Sequence, residues 1–265
     1  MTRAEKKSTL KGIHQNFFMA QHSIALKERK AVADGTELFV FEKPEGFQYK
    51  AGQYVALIVP KIAGVETDTK GLARSFSLTS APCEPILSFT MRSGESAFKK
   101  TCWQLAIGDT VTITDPVGFF TLPPTEDTRP IVFLAGGIGI TPVRSMLKQA
   151  ESEKSQRQFT LLYANRFPKD VTFHEDIKKL SLKNLRYVTV LSQSTEPCAS
   201  SDDERGYIDE AIIEKYVDDV QGSLYYIVGS PEFIGAMETM LTRLGVPKEQ
   251  CKKDSFTGLR AQSGK

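Results

Sequence analysis

No apolar run in this sequence approaches the about 20 residues that a bilayer-crossing helix needs, so no transmembrane segment is expected. Charge of neither sign is in excess: 34 Lys+Arg stand against 32 Asp+Glu, a formal +2. That balance leaves no broad basic field for nucleic acid. The four cysteines, Cys83, Cys102, Cys198 and Cys251, form no CxxC pair, so the spacing of a local zinc or iron–sulfur site is missing. They read instead as small buried apolar residues. The three histidines, His14, His22 and His174, have no ligand spacing, and no metal site is expected. GxSxG, HExxH and GxxxxGK are all absent, so nothing supports a hydrolase. Phe17-Phe18-Met19-Ala20 is far too short for the apolar core of an export signal, and the expected compartment is the cytoplasm. No internal repeat or low-complexity tract occurs.

What is present is a chain with a core. Hydrophobic residues make up 40% and charged residues 25% of 265, and at about 100–200 residues per domain the length predicts two domains or one large one. Two grammars divide it. In the first half apolar and polar residues alternate, as in Glu37-Leu38-Phe39-Val40-Phe41, Leu87-Ser88-Phe89-Thr90-Met91-Arg92 and Val111-Thr112-Ile113-Thr114. Turn residues at Lys43-Pro44-Glu45-Gly46, Ala51-Gly52 and Ile107-Gly108-Asp109 punctuate them, which predicts an antiparallel β barrel with one helix-like stretch from Ala97 to Leu105. After Leu122-Pro123-Pro124 the apolar runs become continuous: Ile131 to Ala135, Phe159 to Ala164, Tyr187 to Leu191 and Leu224 to Val228. Such runs suit parallel strands buried on both faces. Helical patterns separate them (Val143, Met146, Leu147 and Ala150 in the first), so a doubly wound parallel sheet is expected. The boundaries are an arm at 1–21, a barrel at 22–124 and an α/β domain at 125–265.

Open parallel sheets bind ligands beyond the carboxyl ends of their strands. The first apolar run ends in Gly136-Gly137-Ile138-Gly139-Ile140-Thr141-Pro142. Glycines admit a pyrophosphate close to the backbone, and the next helix offers free amides and a positive dipole end. Thr141 would cap that helix, with Pro142 in its first position. Alone, such a turn is equally a tight turn or a ligand site. The other strand ends, Asn165-Arg166, Ser192-Gln193-Ser194 and Gly229-Ser230-Pro231, are further candidate ligand contacts or solvated loops. In the barrel half, Arg74-Ser75-Phe76-Ser77 offers a guanidinium for phosphate, an aromatic face for a flat ring and hydroxyls for ring heteroatoms. By itself it is equally a polar strand. Arg92-Ser93-Gly94-Glu95-Ser96 precedes the helix at Ala97, where Ser96 caps the helix, presents its amino end to a phosphate, or does both.

Taken together these segments resemble the ferredoxin–NADP reductase superfamily. Arg74 to Ser77 is similar to its RxYS or RxFS flavin motif, Gly94 to Ser96 to its GxxS phosphate loop, and Asp115-Pro116-Val117-Gly118-Phe119-Phe120 to its GPxGxF turn. Gly136 to Pro142 resembles the GGxGxTP dinucleotide loop, Val228-Gly229-Ser230-Pro231 the CGP segment, and Asp254-Ser255-Phe256-Thr257-Gly258-Leu259 the terminal ExFxGY. Six motifs in order over residues 22–260 are far more specific than any one alone. The resemblance implies a flavin domain followed by a nucleotide-binding domain. Arg74 would bind the flavin pyrophosphate, Phe76 would stack on the isoalloxazine and Ser77 would bond near N5, with Ser75 on the same strand. Met91, Arg92, Gly94, Ser96 and Ala97 would complete the phosphate end. Gly136, Gly137, Gly139, Thr141 and Pro142 would hold the nicotinamide dinucleotide. Gly229, Ser230 and Pro231 would line the nicotinamide, Phe256 would cover the other flavin face, and Asp254 would relay a proton.

Departures from the pattern are informative. Val228 stands where many members have cysteine, Asp115 where glycine is usual, and Leu259 where a terminal tyrosine is usual. Ser192-Gln193 lacks the arginine that follows the third strand in members selective for a 2′-phosphate. This points to NADH unless Arg166 or Lys169 replaces it. The implied activity is hydride transfer between NADH or NADPH and bound FAD, favoured over FMN by the Gly94–Ser96 loop. Electrons would then pass to a separate carrier such as ferredoxin, flavodoxin or an oxygenase component. Two other readings are an NAD(P)H:flavin reductase using free flavin and a non-autonomous FAD subunit of a larger complex.

Overall fold

The computed structural model describes residues 20–61, 64, 71–194 and 203–256. Most of the expected arm, His14, Cys198 and Thr257-Gly258-Leu259 lie outside them. Gln21, expected to end the arm, already belongs to the first strand and pairs with Thr114.

The first half is a six-stranded antiparallel sheet built from β1 (Gln21–Ala33), β2 (Thr36–Glu42), β3 (Tyr54–Ile58), β4 (Ala73–Ser77), β5 (Ile86–Arg92) and β6 (Thr110–Thr114), in the order β4-β3-β6-β1-β2-β5. The thirteen-residue β1 pairs through its first part with β6 and through the rest with β2. Register shifts between Leu26 and Glu28, and between Ala31 and Ala33, interrupt the ladder, and such bulges bend and twist a strand. Alternation places Ile24, Leu26, Phe39, Phe41, Val55, Leu57, Leu87, Phe89, Val111 and Ile113 in one core. Helix α1 (Ala97–Gln104) packs Phe98 and Cys102 into that core.

Among the described residues the expected barrel is not closed by a ladder between β4 and β5. The chain leaves β4 after Leu78 and reaches β5 through single hydrogen bonds, Thr79 N–H to Ser88 O at 2.9 Å and Ser88 N–H to Ser80 Oγ at 3.0 Å. The sheet thus curls on itself and stays open along this seam.

The second half contains β7 (Ile131–Gly136), α2 (Ile140–Ser152), β8 (Phe159–Asn165), α3 (His174–Lys178), β9 (Leu185–Leu191), β10 (Glu204–Arg205), α4 (Glu210–Tyr216), β11 (Leu224–Gly229), α5 (Pro231–Arg243) and β12 (Cys251–Ser255). All six strands are parallel, in the order β10-β9-β8-β7-β11-β12. Helices α2 and α3 cover one face through Val143, Met146, Leu147 and Ile177. Helices α4 and α5 cover the other through Ile213, Tyr216, Met237 and Leu241. The chain runs outward from β7 to β10 and returns to β7's other side at β11. The topological switch point therefore lies between β7 and β11, where crevices form in such sheets.

Three sequence expectations need correction. A 3₁₀ turn at Gly137–Gly139 leads straight into α2, whose cap is Gly139 without a side-chain bond. Thr141 lies inside the first turn and its hydroxyl donates back to Ile138 O at 3.2 Å, while Pro142 follows at the third position. Proline is still tolerated there because the first four helical amides have no intrahelical acceptor. Cys83 is exposed rather than buried. The edge strand β12, Cys-Lys-Lys-Asp-Ser, carries no apolar run because one side of an edge strand meets water. No described helix is long and apolar enough to cross a membrane.

Candidate functional site

The barrel-side residues form a row. Arg74 and Phe76 share one face of β4, as a strand's period requires, and both meet Phe98 of α1. The Phe76 and Phe98 rings stack at 5.5 Å, and the Arg74 guanidinium lies 5.5 Å from the Phe98 centroid. Arg74 also donates to Gly71 O and Ala73 O, both at 2.8 Å. Ser75 is exposed and Ser77 buried. At the α1 start, Ser96 Oγ accepts Lys99 N–H at 3.3 Å, so the serine is the cap. Gly94 lies against Lys99, whose ammonium is lowered below its usual range, first by burial and then by Arg92. Met91 and Ala97 are buried, and the Met91 side chain lies in the core. Two cations and a helix amino end thus converge where an anion would bind.

The switch-point glycines divide by what they touch. A Cβ at Gly136 would stand 3.1 Å from Phe233 Cγ, and one at Gly229 2.9 Å from Phe233 Cδ1. Both glycines therefore let the first turn of α5 sit on the strand ends. At Gly139 a Cβ would meet Val228 O at 2.7 Å. Gly137 differs: its φ is +52°, which favours glycine, and the Arg92 guanidinium is 3.1 Å from where its Cβ would stand. The Tyr163 hydroxyl donates to Gly137 O at 2.9 Å and accepts Thr172 N–H at 3.3 Å, fixing the turn from below. Burial pushes that phenol up to about 12, so it remains a donor. Ser230 caps α5 through Phe233 N–H at 3.2 Å, with Pro231 at its first position.

The two rows meet where Arg92 reaches the Gly137 turn, and Asp254 lies near Ser77. Asp254 on β12 pairs with Val228 at the end of β11, and Phe256 N–H donates to Gly229 O at 2.8 Å. Burial raises the Asp254 carboxyl above its usual range, while the nearby Ser77 hydroxyl works the other way. The structure thus brings Ser77 and Arg92 toward Gly137 and Asp254 at the interface between the halves, beside Gly136, Gly229 and Phe256, while the contacts of Arg74 and Phe76 described above stay within the first half. Asn165, Arg166 and Ser192 stand further along the strand ends, tied by Ser192 N–H to Asn165 O at 3.0 Å and Gln193 N–H to Arg166 O at 2.9 Å. The Asn165 amide is buried, and neither its nitrogen nor its oxygen has a hydrogen-bond partner. Lys169 is held away, on Asp34 at 2.8 Å.

Residues 133–239 match the family model described as oxidoreductase NAD-binding domain. The reductase component of propane 2-monooxygenase from Rhodococcus jostii (strain RHA1) is 28% identical over 222 residues, covering 81% of this chain and 57% of the relative. A cytochrome P450 reductase from Amycolatopsis superposes with a TM-score of 0.76 at 24% identity, covering 91% of this chain and 71% of that one. A ferredoxin NADP+ reductase from Neisseria gonorrhoeae, solved with FAD and NADP, gives a TM-score of 0.74 at 20% identity, covering 89% and 98%. The chain has the ferredoxin–NADP reductase fold. It spans 57% to 61% of the length of the first three curated relatives it matches.

Sequence reasoning missed four contributors to this reductase-fold site. Phe98 and Phe233 carry only the apolar spacing of core residues. Tyr163 lies within a continuous apolar run, where its one signal is that a buried phenol needs a partner. Arg205 reaches the 192–194 turn, donating to Ser194 O at 3.2 Å, because the two-residue β10 lies beside β9. No periodicity announces so short a strand.

Proposed function

We propose that the chain is a flavin-dependent NAD(P)H oxidoreductase that exchanges electrons with a separate carrier such as a ferredoxin, a flavodoxin or an oxygenase component. The observation that carries this reading is the approach of the Arg92 guanidinium, at the barrel-side anion row, to the Gly137 turn of the switch point, 3.1 Å from where a Gly137 Cβ would stand. Residues 22–124 would hold FAD and residues 125–265 NADH or NADPH. The donor set fits an anionic dinucleotide with a flat ring. Arg74, Arg92 and the Ser96-capped helix end supply positive charge, Phe76 is partly exposed, and Ser77 ends the row. Flavin bound there would accept a hydride from dihydronicotinamide and release electrons singly.

The chain's own residues then have distinct tasks. Arg74 binds phosphate and steadies itself on Phe98. Ser77 presents its hydroxyl to the reacting edge of the ring. Asp254, kept protonated to higher pH by burial, holds a proton beside Ser77. Gly137 and the α2 amino end receive the dinucleotide pyrophosphate, and Phe256 shields the crevice from water. The reductase components among the relatives support an oxygenase or ferredoxin partner. The compartment proposed is the cytoplasm, where reduced nicotinamide dinucleotides are available.

The test is the visible spectrum of the extensively desalted protein, followed by anaerobic addition of NADH and, separately, NADPH. A retained flavin band that bleaches on addition is the expected result. A colourless protein that reduces added flavin would favour a free-flavin reductase, and one that binds none would overturn the reading.

A further inference from the structure

Arg144 stands in the second turn of α2, just beyond the 136–142 loop. The residue is only 9% exposed, and its guanidinium meets four acceptor atoms. Two are the Glu84 carboxylate oxygens at 2.9 and 3.2 Å, one is Asp176 Oδ2 at 2.7 Å, and the last is the Thr79 carbonyl at 3.0 Å. It also lies 5.4 Å from the centroid of Phe173. Beside it the buried Ser145 hydroxyl donates to Ser80 O at 2.6 Å. Thr79 and Ser80 are the direct continuation of β4, two and three residues past Ser77. They are also held from the barrel side, by Thr79 N–H to Ser88 O at 2.9 Å and Tyr49 OH to Ser80 O at 3.0 Å.

Apolar contact also joins the halves here, since Met146 of α2 reaches the barrel at Gly52 and Phe120. A buried ion pair is a poor source of stability compared with apolar residues of similar volume. What it adds is direction: apolar contact lets surfaces slide, whereas three hydrogen bonds from Arg144 to Glu84 and Thr79 across the halves, with Asp176 holding the guanidinium from its own half, set one register.

We propose that Arg144, seconded by Ser145, is a positioning residue that locks the Arg74–Ser77 strand to the helix carrying the dinucleotide loop. The lock sets the distance and angle at which the two ligands face each other. This rests on the function proposed above, because alignment matters only if both ligands bind. The sensitivity is steep, since a 1 Å misplacement remote from the chemistry costs on the order of 100-fold in rate.

The experiment compares wild type with Arg144→Met, Arg144→Lys and Ser145→Ala in the full chain. It reads flavin retention, the KM for the reduced dinucleotide, the anaerobic rate of flavin reduction, and hydrogen exchange of the flavin-free protein. Arg144→Met is expected to slow flavin reduction about 10- to 100-fold with KM and flavin retention within about threefold, and Arg144→Lys to recover part of the loss. Exchange is expected to rise in residues 78–90 and in α2 alone. A purely structural arginine would leave the folded, flavin-loaded fraction reacting at the wild-type rate, and that result overturns the proposal. Should Arg144→Met not fold, Ser145→Ala and Arg144→Lys decide, and wild-type rates with wild-type exchange in both reject the lock. A wild-type protein that neither holds flavin nor oxidises NADH or NADPH defeats the functional reading instead. The exchange data still judge whether Arg144 ties the two segments together.

Discussion

Gly139→Ala is the sharpest probe of the switch point. The added methyl would stand 2.7 Å from Val228 O and 2.9 Å from Val228 C, against the 3.4 Å at which ordinary contact begins. Neither atom can yield cheaply. Both belong to the backbone of β11, where Val228 is paired with Ala135 on one side and Asp254 on the other. Overpacking of this kind costs about 1–3 kcal/mol, which at about 2–4 °C per kcal/mol lowers Tm by roughly 2–12 °C. Relief comes by pushing the end of β11 outward, and the ladder carries Asp254 with it, away from Ser77. Reduction of bound flavin by the dinucleotide is then expected to slow by on the order of 10- to 100-fold. Flavin affinity is expected to hold, because Arg74, Phe76 and Ser96 are not on the displaced strand. Thermal melting and stopped-flow absorbance measure the two effects. A melting point and a reduction rate both equal to wild type would refute the packing argument, and loss of flavin would refute the separation of the two rows.

Three further outcomes are expected. Arg74→Ala removes a guanidinium from the anion row, and a lost charge-assisted bond of about 1.5–3 kcal/mol weakens flavin binding roughly 10- to 100-fold; undiminished affinity in a fluorescence titration removes Arg74 from the site. Tyr163→Phe frees Gly137 O and leaves the buried Thr172 amide without its acceptor, at about 1–3 kcal/mol. A lower Tm with a raised KM for the dinucleotide and unchanged flavin retention is the expected pattern, and an unchanged KM separates Tyr163 from the loop. Asp254 has a raised pKa in the folded chain, so its burial is harmless while protonated and costs stability once ionised. Asp254→Asn is therefore expected to match wild type below about pH 4, the ordinary carboxylate value, and to become the more stable of the two as pH rises through the folded pKa. A stability gap that does not vary with pH contradicts the buried carboxyl.

The division into an antiparallel half and a parallel half was legible from period alone, because burial on one face or on both writes itself into the spacing of apolar residues. Ile131 to Ala135 and Leu224 to Val228 are strands β7 and β11, as continuous runs require. Ser96 as a cap was legible too, since capping is a local bond between a side chain and amides three residues on. The polar edge strand β12 was not legible as a strand, and it carries Asp254 to Ser77. The open seam between β4 and β5 depends on where the chain leaves a ladder, which alternation does not record.

The sequence by itself determined most residues of the cores, where the strand-end glycines and the barrel-side arginines stand, and the order of the two halves, because those properties are local or periodic. Only the tertiary structure decided that Gly136 and Gly229 are bare to receive Phe233, and that Arg92 reaches Gly137 across the interface. It also decided that Arg144 clamps α2 to the strand after Ser77. Each of these joins segments far apart in the chain, and contacts of that kind are selected by packing and direction rather than by neighbouring residues.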